Sequence, residues 1–157
     1  MTAATAPIKF VNKRRGASGP RAADAASLRT VREVLGPGVD PARRDLLMEH
    51  LHALNDRFRH LRLGHLHALA DLMKIPLVEV YEAASFYHHF EVVEPRADGR
   101  YAEAPGVTVR VCDSLACEMA GAGNLLETLR SRLASNARVV AVPCIGRCEQ
   151  APAISVR

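Results

Sequence analysis

The chain has 157 residues, 21 basic and 17 acidic side chains, a net charge of +4 and a sequence pI near 9.1. That length allows one domain or two small ones with a real hydrophobic core, and the charge falls short of what nucleic-acid binding by electrostatics alone requires. No apolar run reaches the roughly 20 residues of a bilayer span, and no apolar stretch follows the basic N-terminus. Direct membrane contact and export are therefore not expected. In the reducing cytoplasm, where the chain is placed on these grounds, paired cysteines bind metal or do redox work more often than they form disulfides.

Residues 1–20 read as a basic arm. Lys9, Lys13, Arg14 and Arg15 occur with no acid before Asp24, and Gly16, Gly19 and Pro20 punctuate the stretch. The arm reads as a solvated terminus or as a segment that lies on an acidic partner, with Ile8, Phe10 and Val11 as a docking point; an organelle transit peptide is a third option. Residues 21–94 read as a helical bundle. Leu28, Val31, Val34 and Leu35 recur at helical spacing in a first helix over 21–35, closed by Gly36-Pro37-Gly38. Asp40 and Pro41 stand in N-cap and N1 order before a helix to about Leu61, whose stripe is Leu46, Leu47, Leu51, Leu54, Phe58 and Leu61. Gly64 is expected to break it. A third helix over 65–73 carries Leu66 and Leu69, with Leu72 or Met73, inward; Pro76 opens a fourth to about Ser85. Phe86, Tyr87 and Phe90 lead out towards Val92 and Val93, and residues 95–106 form a linker rich in Pro, Gly, Ala and charge.

The third and fourth helices have the outline of a helix-turn-helix. A recognition helix needs donors for base edges and cations for phosphates, and the fourth offers Glu79 and Glu82 with no Lys or Arg. No nucleic acid is expected as a partner, and an iron–sulfur or zinc DNA-binding regulator is the distant alternative. The seven histidines do not suggest a metal site: His50 and His60 are too far apart along one helix, and the pairs His65/His67 and His88/His89 diverge. They read as helix-surface or partly buried polar groups.

Residues 107–157 carry all four cysteines, Cys112 and Cys117 in a C-x4-C pair and Cys144 and Cys148 in a C-x3-C pair. Each pair follows a β-branched run, 107–111 and 138–142, and a helix over 118–133 with Leu125, Leu126, Leu129 and Leu133 on one stripe joins them. Strand, helix and strand make a right-handed βαβ unit with parallel strands. Both cysteine loops then leave from the carboxyl ends of the strands and meet at one sheet edge. Neither pair has the C-x2-C spacing usual for zinc, and no histidine follows His89 to serve a Rieske centre. Spacing favours a [2Fe–2S] centre and leaves a zinc site and redox or structural cysteines open. Gly146, the amides of the loops and the N-terminus of the helix after Cys117, brought close by Gly121 and Gly123, can offer N–H donors to an anionic centre. Arg147 can offset its charge or lie exposed. No complete G-x-G-x-x-G, phosphate-binding loop or nucleophile–base pair is present, so no catalytic residue of the chain's own is expected.

The stretches CDSLACEMAGA and VPCIGRCEQAP, with LADLMKIPLVEVYEAASFYHHF before the linker, resemble the thioredoxin-like [2Fe–2S] subunit of NADH dehydrogenase, the 24 kDa type. That family extends to bidirectional hydrogenases and NAD-linked molybdenum formate dehydrogenases. The resemblance covers about Asp40 to Val156, and EMAGA after Cys117 with the compact link to the second pair looks most like the formate dehydrogenase gamma subunit. It implies an α+β chain in two parts, a helical bundle followed by a thioredoxin-like α/β [2Fe–2S] ferredoxin domain, with Cys112, Cys117, Cys144 and Cys148 as ligands of one cluster. It also implies an electron-transfer role beside a flavin- and NAD-binding beta-type subunit and a large molybdenum-containing catalytic subunit. FMN, NAD, further iron–sulfur clusters and the molybdenum cofactor would sit on those partners, in a complex that oxidises formate to CO2 and reduces NAD. The equivalent subunit of respiratory NADH dehydrogenase or of an NAD-linked hydrogenase is the alternative. Ala151-Pro152 looks like the entry to a further strand, with a cis peptide as one option. Family members continue past this point, and the domain ending at Arg157 reads as unfinished.

Overall fold

The computed structural model describes residues 23–36, 39–133 and 137–157. The expectations for the basic arm, for Arg21 and for Pro37-Gly38 fall outside the described residues. Helix α1 spans Ala25–Leu35, inside the expected 21–35, and begins after Asp24, which caps it. The Asp24 carboxylate accepts from the Ser27 N–H at 2.8 Å and from the Ser27 hydroxyl at 2.7 Å, satisfying an amide that the helix itself leaves free. Those bonds hold the Asp24 carboxyl below its ordinary pKa, the Ser27 hydroxyl contributing most.

Asp40-Pro41 does not open the second helix. The Asp40 carboxylate accepts from the Ala42 N–H at 2.8 Å and its carbonyl from the Arg43 N–H at 3.0 Å. This is the local turn that aspartate favours whenever it is not held as a cap. A 3-10 turn over Arg44–Leu46 follows, and α2 runs only from Leu47 to Phe58. It ends at Arg59, in the left-handed region at φ 60°, whose N–H returns to the Asn55 carbonyl. Leu61–Arg62 is a short strand β1, parallel to β2, Val92–Val93. Gly64 lies inside α3 (Leu63–Met73) and breaks nothing. A Cβ there would stand 2.8 Å from the Ser27 hydroxyl and 2.9 Å from the Tyr101 hydroxyl, so the glycine permits the close approach of α1, α3 and residue 101. Helix α4 covers Leu77–Phe86, with Pro76 one place earlier than expected, at the cap. Val31, Leu51, Leu54, Leu61, Leu66, Leu69, Met73 and Val80 are completely buried between these elements.

Two histidines lie deeper than the helix-surface or partly buried placement expected of them. His60 and His65 are buried, at 3% and 4% exposure. The His65 ring packs on Phe58 with centroids 4.7 Å apart. Burial, helped by the Arg62 charge, pushes its pKa down to about 4, so it sits in the core as a neutral imidazole.

The second layer is a sheet of order β4-β3-β5, with β3 at Thr108–Cys112, β4 at Arg138–Val142 and β5 at Ile154–Val156. β3 and β4 are parallel, in register from Thr108↔Arg138 to Cys112↔Val142. β5 runs antiparallel on the other edge of β3 and is entered through a cis Ala151-Pro152 peptide. The connection between β3 and β4 holds two helices where one is expected: α5, Leu115–Met119, and α6, Ala122–Leu133. They join at Gly121, φ 91°, a conformation glycine adopts without a steric cost. Leu125, Leu126, Leu129 and Leu133 of α6 pack on the sheet core. Arginines near the three strands tie this layer to the helices. Arg110 donates to the His89 carbonyl at 3.0 Å, Arg138 pairs with Glu91, and Arg157 pairs with Asp56.

Candidate metal centre

Cys112 is the last residue of β3, and Cys144 lies just beyond Val142, the last residue of β4. Since Cys112 and Val142 are register partners, both loops start from one edge of the sheet. The chain then turns at Ser114 into α5, which carries Cys117 back under that edge. Cys112 and Cys117 are each 1% exposed, whereas Cys144 and Cys148 face solvent. The Sγ atoms of Cys144 and Cys148 stand 3.4 Å apart, and Cys112 and Cys117 are close enough for each thiol to shift the pKa of the other.

Charge on any one of these sulfurs is felt by the others. The Cys148 thiol is pushed above its ordinary value first by Cys144, then by burial, Cys117 and Cys112. At Cys117 the Ala153 N–H pulls the pKa down, but burial and the neighbouring Cys112 outweigh it, and the net shift is upward. Cys112 moves the other way. The Ser114 N–H hydrogen-bonds its sulfur and outweighs burial, with Cys117, the Ser114 hydroxyl and the Ile145 N–H adding to the effect. Two raised thiols beside a lowered one show that negative charge on one of these sulfurs opposes charge on its neighbours. Among the described residues no three metal-ligating side chains converge on a single ion position; the sulfurs stand as two pairs.

The sulfurs are also met by backbone donors. The Gly146 N–H points at Cys144 Sγ over 3.4 Å, from a residue at φ 80° where glycine is favoured. With the amides of Ser114, Ile145 and Ala153, donors reach three of the four cysteines. Four thiols in two pairs, dressed with N–H groups, fit a [2Fe–2S] centre. The donors are not those of a helix N-terminus after Cys117, because α5 begins before that cysteine and α6 begins only at Ala122. Gly123 lies within α6 and meets no neighbour. Arg147 does not turn to the sulfurs: its guanidinium is held by the Gln150 side-chain oxygen at 2.9 and 3.2 Å and lies 3.6 Å from Glu149. Ser114, Ile145 and Ala153 escape sequence reasoning because an amide donor has no side-chain signature. Their only trace is position, next to or near a cysteine or the Pro152 bend.

The family model for the thioredoxin-like [2Fe–2S] ferredoxin matches residues 38–157. The chain is 28% identical over 125 residues to a subunit of the NADH-quinone oxidoreductase of Aquifex aeolicus, covering 74% of this chain and 72% of that protein. It is 28% identical over the same length to the HndA subunit of the NADP-reducing hydrogenase of Solidesulfovibrio fructosivorans, covering 74% and 68%. Identity to an NADH-quinone oxidoreductase subunit of Rhizobium meliloti is 30%, covering 74% and 69%.

Proposed function

The chain belongs to the thioredoxin-like [2Fe–2S] ferredoxin family, and on that premise we propose that it is the electron-transfer subunit of a cytoplasmic NAD-linked oxidoreductase, with Cys112, Cys117, Cys144 and Cys148 as cluster ligands. The observation that carries this is the register pairing of Cys112 with Val142, which brings both cysteine pairs to one sheet edge. When bound, the group supplies one-electron storage and transfer. The chain's own part is to hold and tune it. Burial of Cys112 and Cys117 keeps water from that side. The amides of Ser114, Ile145, Gly146 and Ala153 lower the energy of negative charge on the sulfurs. Arg147, placed on the second cysteine loop, is turned to Gln150, and the Glu149 carboxylate beside it offsets its charge.

The flavin and NAD chemistry belongs to partner subunits. Of the parent complexes, a formate dehydrogenase with a molybdenum-containing subunit is the reading that the EMAGA segment after Cys117 supports. The relatives in Aquifex aeolicus and Solidesulfovibrio fructosivorans support a second reading, an NADH-quinone oxidoreductase or hydrogenase complex. Mild purification of the tagged chain from its own cells, with metal analysis and activity assay, separates them. Molybdenum and formate-dependent NAD reduction are expected; nickel with hydrogen-dependent reduction, or quinone reductase activity with membrane subunits, would replace the formate assignment.

A further inference from the structure

In the helical layer the large apolar side chains that stay exposed, among the described residues, are Val78, Tyr81, Phe86 and Tyr87, all on α4 or directly after it. Val80 and Ala84 lie on the other side of the helix and are buried. Val78, Glu82 and Phe86 follow one another at i, i+4 and i+8, so they form one line along the outer face. Phe86 is 74% and Val78 58% exposed. The face is also acidic. From Pro76 to Pro95 the sequence holds Glu79, Glu82, Glu91 and Glu94 and no Lys or Arg. Arg44 pairs with Glu79 and Arg138 with Glu91, while Glu82 is paired with no described residue. An apolar line flanked by carboxylates fits a segment that carries apolar side chains and cations together.

The chain carries such a segment itself. All 17 of its acidic side chains lie among the described residues, with 16 of the 21 basic ones. The other five, Lys9, Lys13, Arg14, Arg15 and Arg21, precede Ala23, and Ile8, Phe10 and Val11 stand among them. We propose that this arm folds back on the chain and seats on the outer face of α4, its apolar residues covering Val78, Tyr81 and Phe86 and its cations facing Glu79 and Glu82. The point of departure suits this. The Ala23 N–H is held at 2.9 Å by the carboxylate of Asp71, in the last turn of α3. Helix α3 packs on α4, which begins six residues after Asp71. The thirteen residues from Phe10 to Ala23 can extend about 43 Å, and the ten residues of α4 rise only about 15 Å. A tether of this length sets a local concentration on the order of millimolar, so the arm outcompetes that of a second copy. Any other chain that binds this face must displace it. The inference stands apart from the electron-transfer reading.

The test uses the full chain and trypsin, which cuts after Lys13, Arg14 and Arg15; cleavage there follows the fraction of unseated arm. Phe86→Ser is expected to raise the rate about fivefold or more, and Val78→Ser to raise it as well. Glu82→Gln should raise it about twofold at low salt, a difference that high salt removes. Met119→Ser, at an exposed position of the sheet layer, should leave the rate unchanged, and unaltered circular dichroism shows that each variant is folded. A carbodiimide, which joins a lysine amine to a carboxylate and takes up the water lost as a urea, should link Lys9 or Lys13 to Glu79 or Glu82 within one chain. Equal cleavage rates in the wild-type, Phe86→Ser and Val78→Ser chains overturn the proposal. So do equal acceleration by Met119→Ser and links from the arm to other carboxylates alone. Protection that grows with protein concentration, or links found only in dimers, overturns it in favour of a second copy.

Discussion

Among the described residues, thirteen buried ones from Val31 to Phe90 close the core of the helical layer, whereas six close that of the sheet layer, and two of those six are Cys112 and Cys117. The helical core is mainly aliphatic, with Met73, Phe90 and the buried His65 packed into it, so it has the apolar area to hold itself together. The sheet layer has given core positions to thiols. Its stability is thereby linked to whatever the thiols bind, because a ligand held only by the folded state stabilises that state. The first layer works as a scaffold, and the second is a site with just enough core to present it.

Substitutions can break that division. Leu66→Ala, at a completely buried position of α3, should cost about 2–5 kcal/mol in denaturant unfolding followed by circular dichroism. The native protein should keep its cluster absorption, because the cavity lies away from the sulfurs. Loss of the cluster spectrum under native conditions would show that the layers are not separable in this way.

Acid provides the next probe. His65 has a folded pKa of about 4 against an ordinary 6.5, so below pH 6.5 the unfolded chain takes up a proton that the folded chain refuses. The stability from a neutral His65 is complete above pH 6.5 and is lost as pH falls towards 4, a total of roughly 3 kcal/mol at 1.36 kcal/mol per unit. Burial shifts His50, His60 and His89 in the same direction and adds to the slope. His65→Gln should flatten the dependence of unfolding free energy on pH; an unchanged slope would remove His65 from the account.

The two cysteine pairs should differ once the iron is removed. Every single Cys→Ser variant is expected to lose the cluster, yet in the metal-free protein Cys117→Ser should cost about 1–3 kcal/mol by burying a hydroxyl, and Cys148→Ser under about 0.5 kcal/mol. Equal costs would contradict the asymmetry of burial. Gly64→Ala probes the contact between α1, α3 and residue 101. A helix-propensity gain of about 1 kcal/mol opposes the clash with the Ser27 and Tyr101 hydroxyls, whose cost of about 1–3 kcal/mol should leave a net loss near 1 kcal/mol by thermal melting.

The sheet layer was the more legible of the two in sequence. The runs at 107–111 and 138–142 are β-branched, Pro143 marks the stop, and parallel pairing then follows from the helix between them. The cysteine pairs could be brought together on those grounds alone. The short elements were hidden. β1 and β2 have two residues each, too few for any periodicity, and α5 has five. Asp40-Pro41 has the chemistry of a helix start, and only the competing hydrogen bond to Ala42 shows that it makes a turn. Gly64 carries no local mark that separates a break from a close contact, because the atoms it accommodates belong to residues 27 and 101. The burial of His60 and His65 is likewise a fact of packing between helices.

The central claim is that the four thiols hold two irons between them rather than one zinc. Iron, acid-labile sulfide and zinc should be counted in the anaerobically purified chain, and its electron paramagnetic resonance recorded after reduction. The account predicts about two irons and two sulfides per chain and a signal from the reduced centre. One zinc, no sulfide and a silent spectrum would contradict it.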